Sequence, residues 1–293
     1  MIKVKNLTQV YKSGKGIFDV SFEIKEGEVF GFLGPNGAGK TTAIRNLMGF
    51  VNASKGEAFI NGLNCRTDAA KLQEIIGYLP GEMAFFENMT GIEFLEFMGH
   101  MRRTKNITRR DELIELFDID TKSKIKKMSK GMKQKIGIIT AFMHDPQILI
   151  LDEPTSGLDP FMQNVFIKLI EEEKNKGKTI MMSTHIFEEV QRSCDRAGII
   201  REGILVATED IKSLNEMNKK RFEIILHDAK DMEKLISSGY QVDQVDGLMI
   251  VIEQSGRYDD FFKLLSTCNI KSFDVKHQSL EEIFMKYYGK EGV

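Results

Sequence analysis

The residues best suited to chemistry form a glycine-rich loop. Residues 34–41 read GPNGAGKT and fit the pattern G-x-x-x-x-G-K-[ST]. The glycines let backbone N–H groups turn inward around phosphate oxygens, and the following helix presents its positive end to the anion. The loop predicts a nucleoside triphosphate site, and a chance match is the weaker alternative. The residues predicted to contact the nucleotide are Asn36, Gly37, Gly39, Lys40, Thr41 and Thr42. Of these, Lys40 would reach the outer phosphates, Thr41 would bind Mg²⁺ and Thr42 could add a hydrogen bond.

A second candidate group is a pair of acids that follows an apolar run. Residues 148–151 are Ile, Leu, Ile and Leu, and Asp152 and Glu153 come next. Asp152 can hold Mg²⁺ as the acidic partner of a phosphate loop. Glu153, expected on the opposite pleat of the strand, could polarise an attacking water as general base. A solvated strand end is the alternative, and it is less favoured beside the phosphate loop.

Alternating strands and helices must position these groups. Apolar patterns predict strands at 17–24, 28–33, 147–151 and 180–183. Helices are predicted at about 40–49, 90–118, 129–143, 161–176 and 186–195. Strands that alternate with helices indicate an α/β fold with a mainly parallel sheet covered on both faces.

The predicted order of strands and helices changes after about residue 215. Strands are predicted at 221–226, 240–245, 248–253 and 270–275, with helices at 229–236 and 259–265. This βαββαβ order matches the split-βαβ pattern. A last helix is predicted to open at residue 279 with a capping box. We therefore expect a domain at 1–215 and a small α+β accessory domain at 216–293.

Composition limits the possible functions. The 293 residues carry 41 Lys plus Arg and 43 Asp plus Glu, a net charge of −2. A near-neutral chain gives no reason to expect a nucleic-acid partner, which usually binds a basic excess. Three widely spaced cysteines support neither a disulfide framework nor a zinc site. No apolar run approaches the roughly 20 residues that span a bilayer, so any membrane role should come from a partner.

Several motifs together resemble the ATP-binding cassette (ABC) ATPases over about residues 1–210. The phosphate loop and the acidic pair stand in the family's order and approximate spacing. Residues 280–289 also look like the C-terminal extension of drug- and antibiotic-type bacterial exporter ATPases. The other matching positions are Tyr11 at the aromatic position, residues 128–134 (MSKGMKQ) at the signature usually written LSGGQ, residues 156–159 (SGLD) at the D-loop, and residues 183–185 (STH) at the switch histidine.

The resemblance implies a P-loop NTPase cassette with a mainly parallel core sheet, an antiparallel β subdomain and a helical subdomain at about 84–145. Tyr11 would stack on adenine. Ser129 and Gly131 of one cassette would face ATP held by another, and Asp159 would link the two sites. His185 would contact the γ-phosphate and orient the water with Glu153.

Two departures from the family pattern affect the site. The signature keeps Ser129 and Gly131 but has Lys130 and Met132 in place of Gly and Gln. Ser129 can still cap a helix whose N-terminus faces a phosphate, and Lys130 would add positive charge there. Lys130 could instead be an ordinary solvated lysine. Gly81 stands where the family usually has Gln, so we hypothesise that Glu82 supplies the missing oxygen ligand or senses Mg²⁺.

The leading functional hypothesis is the ATPase subunit of an ABC exporter at the cytoplasmic face of a bacterial membrane. Its partners would be a transmembrane permease subunit and a second cassette, identical or paralogous. Residues 83–101, rich in Met and Phe, could form a docking groove for the permease or could be plain core. The alternative is a soluble ABC ATPase acting on ribosomes or nucleic acid, whose members usually carry two cassettes or long insertions. A small-molecule kinase would not explain the signature, the D-loop and His185 together.

Overall fold

The computed structural model describes residues 1–104, 107–216, 220–254 and 258–277. The described strands are β1 (Ile2–Val10), β2 (Gly16–Ile24), β3 (Val29–Leu33), β4 (Lys55–Ile60), β5 (Leu63–Asn64), β6 (Ile76–Leu79), β7 (Ile148–Asp152), β8 (Thr179–Thr184), β9 (Arg196–Arg201), β10 (Ile204–Asp210), β11 (Lys220–Leu226), β12 (Gln241–Asp246), β13 (Met249–Gln254) and β14 (Ile270–His277). The described helices are α1 (Lys40–Leu47), α2 (Ala69–Ile75), α3 (Gly91–Met101), α4 (Thr108–Leu116), α5 (Lys130–Phe142), α6 (Pro160–Asn175), α7 (Phe187–Ser193), α8 (Ile211–Glu216), α9 (Ala229–Ile236) and α10 (Asp259–Leu265). The chain divides into two compact units, Met1–Ile211 and a second that begins at Lys212.

The first unit is built on a six-stranded sheet of order β10-β9-β3-β8-β7-β6. The strands from β9 to β6 are parallel, and β10 pairs antiparallel with β9. Every residue of β3, β7 and β8 is buried, as expected for central strands of a parallel sheet. The carboxyl ends of these strands meet, because Leu33 lies opposite Thr184 and Asp152 opposite Ser183.

A four-stranded sheet of order β2-β1-β4-β5 packs against this core. Its pairings are antiparallel, and β2 alternates buried and exposed residues. One face of the sheet therefore enters the core, where the Phe22 ring stacks on Phe30 with centroids 5.5 Å apart. The structure agrees with the expected α/β cassette containing a parallel core and an antiparallel subdomain.

The helices between β6 and β7 correct one prediction. Residues 90–118 do not form one helix but two, α3 and α4. A capping box opens α3, in which Thr90 Oγ1 accepts from the Glu93 backbone N–H at 3.3 Å and the Thr90 N–H donates to Glu93 Oε2 at 2.7 Å. The chain leaves α3 at Arg103, whose φ of 53° cannot continue a right-handed helix. Helical spacing does not reveal this break.

The Met- and Phe-rich segment divides between core and surface. Phe94 and Leu95 are buried, whereas Phe86 is 54% and Met101 69% exposed. Phe86 packs edge-on against Phe97 with centroids 5.3 Å apart. The segment therefore supplies core contacts and also leaves apolar side chains in solvent. Within the described residues, no helix is both long and apolar enough to cross a bilayer.

The second unit contains a four-stranded antiparallel sheet of order β12-β13-β11-β14. Its chain order is β11-α9-β12-β13-α10-β14, which confirms the predicted split-βαβ pattern. Phe222 and Ile224 on β11 are buried with Phe261 of α10 and Leu235 of α9. Both helices therefore cover the same face of the sheet. The helix predicted to open at residue 279 lies outside the described residues.

Candidate active site

The glycine-rich loop, residues 34–41, joins buried strand β3 to helix α1. Gly37 and Gly39 have φ angles of 82° and 110°, in the left-handed region that favours glycine. A Cβ on Gly34 would lie 2.3 Å from the carbonyl oxygen of Ile200 on β9. Glycine is therefore required where the loop leaves β3 and passes against the backbone of β9. The first N–H groups of a helix lack intrahelical acceptors, so this end of α1 can receive an anion.

Lys40 is the cation of this loop. Only 5% of its surface is exposed, and its Nζ donates to the carbonyl oxygens of Gly34 at 2.6 Å and Pro35 at 3.2 Å. The same Nζ lies 3.0 Å from Glu153 Oε1. The ammonium group is thus held by two carbonyls and a carboxylate at the mouth of the loop.

Asp152 is fully buried at the end of β7. Its Oδ1 accepts from the Ser183 hydroxyl at 2.5 Å. Among the residues that the structure describes, its Oδ2 is buried without a hydrogen-bond partner. Such an oxygen is costly to bury unless it binds a donor or a cation, and Mg²⁺ prefers oxygen ligands. Thr41 and Glu82 line the same pocket as Asp152, so the residues present fit a magnesium ion.

Glu153 lies in a turn, which corrects the expectation that it occupies the next pleat of the strand. Strand β7 ends at Asp152, and Glu153 has a φ of 49°. Its N–H donates to the carbonyl oxygen of Ser183 at 3.1 Å, which keeps the turn against β8. Its Oε2 lies 2.8 Å from His185 Nδ1. One carboxylate therefore contacts Lys40 through Oε1 and His185 through Oε2.

A second pocket gathers the predicted nucleotide contacts of the phosphate loop together with Tyr11. It is lined by Tyr11, Asn36, Gly37, Gly39, Lys40, Thr41, Thr42 and Glu153 together with residues of the β1–β2 turn. Tyr11 is 36% exposed and lies in that turn, where its N–H donates to the Lys15 carbonyl oxygen at 2.8 Å. The exposed ring is available to a planar ligand. The loop, the acidic pair and the tyrosine thus border one region.

Tyr78 was not predicted as a site residue. It lines the Asp152 pocket with Arg45 and Gly81. Burial, with the charge of Asp152 as the next cause, raises the pKa of Tyr78 to about 12, so its hydroxyl remains a proton donor near neutral pH. A Cβ on Gly81 would lie 3.2 Å from Asp152 Oδ2, which shows how closely the backbone approaches this oxygen. No local motif marks Tyr78 in the sequence.

The signature region forms the start of helix α5. Ser129 is the N-cap, and its Oγ accepts from the Met132 N–H at 3.2 Å. Lys130 Nζ donates to the Ser156 hydroxyl at 3.1 Å, so this lysine contacts the D-loop of its own chain. A Cβ on Gly131 would lie 2.7 Å from the Gly157 carbonyl oxygen. The glycine kept at this position therefore permits close packing of the signature and D-loop.

Asp159 caps the next helix, because its Oδ1 accepts from the Met162 N–H at 2.9 Å. In the part of the chain that the structure describes, Ser129, Gly131 and Asp159 are absent from the linings of both pockets. The structure thus separates the predicted site residues into two groups. One surrounds Lys40 and Asp152, and the other lies at the signature and D-loop.

Gln134 joins these two groups within one chain and was also missed from the sequence. It is buried on α5, and its Nε2 donates to the carbonyl oxygens of Pro154 at 2.8 Å and Glu153 at 3.3 Å. The helix that begins with the signature is therefore bonded to the turn that carries Glu153. Gln134 belongs to the quoted signature segment, but its partners lie about 20 residues away.

Comparisons with known proteins agree with this geometry. A model of the ABC transporter family matches residues 17–156. The bacitracin transport ATP-binding protein BcrA of Bacillus licheniformis is 33% identical over 299 residues, which cover 99% of this chain and 97% of BcrA. The linearmycin resistance ATP-binding protein LnrL of Bacillus subtilis is 36% identical over 212 residues, which cover 71% of this chain and 68% of LnrL.

Solved cassettes have the same fold. An ATP-binding subunit of an ABC transporter gives a TM-score of 0.67 at 30% identity, covering 73% of this chain and 92% of that one. The dimeric bacterial ABC transporter cassette MJ0796 gives a TM-score of 0.64 at 25% identity, and the match covers 72% of this chain and 99% of the MJ0796 chain. A dimeric post-hydrolysis state of MJ0796 contains ADP and Pi.

The phosphate loop, the acidic pair and the cassette fold define a nucleoside triphosphate hydrolase. The chain belongs to the ABC transporter family, as an ATP-binding and ATP-hydrolysing subunit. The predicted class and activity are thereby confirmed.

Proposed function

We propose that this chain hydrolyses MgATP at the cytoplasmic face of a bacterial membrane and so drives a separate permease that exports an antibiotic or related compound. The observation that carries the proposal is the convergence of Lys40, Asp152, Glu153 and His185 where β3, β7 and β8 end. The relatives named for bacitracin transport and linearmycin resistance support the class of cargo.

In this proposal the phosphate loop binds the triphosphate and Tyr11 stacks on adenine. Phosphate oxygens replace Glu153 as partners of Lys40, because the incoming anion competes for the same ammonium group. Thr41 and Asp152, with Glu82 as a further oxygen donor, would hold Mg²⁺. That ion supplies charge neutralisation at the phosphates.

Released from Lys40, Glu153 acts as general base toward a water aligned with the γ-phosphate. His185 orients that water and contacts the γ-phosphate through its ring. The 2.8 Å contact between Glu153 Oε2 and His185 Nδ1 supports a joint role. Both groups are partly solvent-accessible, so a water molecule can reach them.

A second cassette, identical or paralogous, completes each site in this proposal. Ser129 and Gly131 of one cassette face the ATP of the other, and Asp159 connects the two sites. The separation of these residues from the pockets around Lys40 and Asp152 supports this arrangement, as does the dimeric form of a similar cassette. We assign residues 1–215 to the cassette, with its helical subdomain at about 84–145, and 216–293 to an accessory domain.

The test begins with ATP hydrolysis by the purified full chain, in which Glu153→Gln should abolish phosphate release while ATP still binds. The second arm expresses the chain together with the product of the adjacent open reading frame, which the proposal expects to be a membrane-spanning subunit. We expect the two to co-purify from detergent-solubilised membranes and to lower accumulation of a peptide antibiotic in cells. Hydrolysis by Glu153→Gln at the wild-type rate would refute the catalytic assignment, and recovery with ribosomes instead of membranes would refute the transport role.

A further inference from the structure

Glu189 is a buried carboxylate next to the proposed catalytic residues. It lies on α7, is 3% exposed, and accepts hydrogen bonds from two threonine hydroxyls. Thr155 Oγ1 donates to its Oε1, and Thr184 Oγ1 donates to its Oε2 at 2.6 Å. Burial raises the pKa of Glu189, and the charge of Glu153 acts in the same direction, whereas the two hydroxyl bonds lower it. The carboxylate therefore joins two chain segments that are about 30 residues apart in sequence.

The Thr184 segment carries the switch histidine. Thr184 Oγ1 also accepts from the Ile186 N–H at 3.0 Å, so the backbone on both sides of His185 is tied to one hydroxyl. The Thr184 carbonyl oxygen accepts from the Gly34 N–H at 3.2 Å. Hydrogen bonds of Thr184 thus connect the backbone next to His185 both to Glu189 and to the phosphate loop.

The Thr155 segment carries the proposed general base. Thr155 is two residues beyond Glu153, within the turn where the N–H of Ser156 donates to the Glu153 carbonyl oxygen at 3.1 Å. Glu153 has a positive φ, a conformation that persists in non-glycine residues only when surrounding contacts hold it. The bond from Thr155 to Glu189 is one of these contacts.

We propose that Glu189 is a positioning residue for ATP hydrolysis, which holds Glu153 and His185 at their working separation through Thr155 and Thr184. The inference rests on the roles proposed above for Glu153 and His185. Neither threonine lines a pocket that holds Lys40, so Glu189 should affect the chemical step and leave ATP binding nearly unchanged.

The first test compares Glu189→Gln with Glu188→Gln in the full chain. Glutamine keeps the size of Glu189 but replaces one acceptor oxygen with an NH2 donor, so one of the two threonine hydroxyls can no longer donate to residue 189 and must accept instead. We expect kcat for ATP to fall by about 10- to 100-fold, the range that a displacement of about 1 Å can cause. The Kd for ATP should change by less than twofold. Glu188 is a neighbour on α7 with an exposed side chain, so its variant controls for loss of a negative charge.

The second test uses Thr184 and needs no change to the buried carboxylate. Thr184→Val removes the hydroxyl while keeping the shape, and Thr184→Ser keeps the hydroxyl. We expect the valine variant to lose kcat as Glu189→Gln does and the serine variant to retain at least half of wild-type kcat. The double variant Glu189→Gln/Thr184→Val should be no slower than the worse single variant, because both changes break one connection.

A kcat within twofold of wild type for Glu189→Gln would overturn the inference. Parallel losses of kcat, ATP affinity and melting temperature in both Glu189→Gln and Thr184→Val would also overturn it, since they indicate a purely structural role. An active Glu153→Gln variant would refute the proposed function itself. An inactive Glu153→Gln with a fully active Glu189→Gln would refute only the role of Glu189.

Discussion

Among single side chains, the contact of Lys40 with Glu153 has the most direct consequence for ligand binding. The two groups lie 3.0 Å apart and are mostly shielded from solvent, where an ion pair is stronger than on the surface. In the proposed mechanism, nucleotide must displace this contact before its phosphates can reach the ammonium group. Glu153 would then compete with ATP in addition to activating water.

The competition predicts that Glu153→Gln binds ATP more tightly than wild type. Removing the charge frees Lys40 for phosphate, so we expect the Kd measured without hydrolysis in EDTA to fall by about two- to tenfold, a change of about 0.4–1.4 kcal/mol. Lys40→Met should weaken binding in the same assay. An unchanged Kd for Glu153→Gln would show that the ion pair does not oppose binding.

Glu82 permits a test of the proposed oxygen ligand. Glu82→Ala should raise the Mg²⁺ concentration needed for half-maximal ATPase activity by several-fold, because one of the oxygens lining the pocket with Asp152 and Thr41 is lost. Glu87, exposed in the same loop, provides the control variant Glu87→Ala. Unchanged ATPase activity and Mg²⁺ dependence in Glu82→Ala would remove Glu82 from the site.

The sequence predicts the chemical groups of the site better than their connections. The phosphate loop and Asp152 could be recognised because their motifs are local. The turn at Glu153, the Ser183 hydroxyl bond to Asp152 and the paired threonines on Glu189 could not. The contacts of Glu153 and Asp152 with Ser183, and the bond from Thr155 to Glu189, join segments about 30 residues apart, which local spacing does not encode. The bond from Thr184 to Glu189 is short in sequence but connects the end of β8 to α7.

Among the elements, close contact between strand β6 and helix α5 restricts what each may contain. A Cβ on Gly77 would lie 2.3 Å from the Ala141 carbonyl oxygen and 2.6 Å from a Leu149 methyl carbon. Neither the helix backbone nor the buried strand neighbour can move away freely. The glycine thus sets how closely α5 approaches the sheet.

We predict that Gly77→Ala lowers the free energy of unfolding by about 1–3 kcal/mol, the usual cost of overpacking a core. Gly99 on α3 is the matched control, since a Cβ there would meet no atom of the described residues within 4 Å. Gly99→Ala should raise stability by about 0.5–1 kcal/mol, because alanine favours a helix more than glycine does. Urea unfolding measures both, and equal effects would contradict the packing argument.

Strongly periodic elements were predicted almost to the residue. Helix α5 was expected at 129–143 and spans Lys130–Phe142, and α9 and α10 match their predicted ranges. Strands β4 and β5 and helix α2 were not predicted, because glycines and polar residues interrupt their patterns. The helical prediction over 90–118 holds for α3 and α4 and misses only the break between them, for a different reason. A single backbone angle at Arg103 ends α3, and arginine gives no local indication of it.

For the molecule as a whole, the half-buried side chain of His144 makes the free energy of unfolding depend on pH. Burial, with the charge of Arg102 as the next cause, lowers the pKa of His144 from 6.5 to about 4. Arg102 Nη1 lies 3.0 Å from His144 Nε2 and donates to the Ile76 carbonyl oxygen at 3.1 Å. This contact connects the end of α3 to the segment after α5 and to β6. A protonated His144 would place two cations together there.

Acidification should therefore destabilise the first unit. In the unfolded chain His144 binds a proton below pH 6.5, whereas in the folded chain its ring stays neutral down to about pH 4. The contribution of His144 to stability is therefore constant above pH 6.5 and falls as the pH drops from 6.5 to 4. We expect a loss of about 2 kcal/mol between pH 7 and pH 5, which His144→Gln removes. The control variant is His227→Gln, which changes an exposed histidine and should keep the wild-type dependence of stability on pH. If His144→Gln also kept that dependence, the assignment to His144 would be wrong.

The two hydrogen bonds from Gln134 connect the motion of helix α5 to the position of Glu153. A helix is stiff along its axis, so a tilt of α5 moves Gln134 together with Ser129 at its start. The carbonyl oxygens of Glu153 and Pro154 must follow. In the proposed dimer, a signature that binds the nucleotide of the neighbouring cassette would therefore shift Glu153 of its own chain in the same motion. One buried amide could in this way synchronise two active sites that share no atoms.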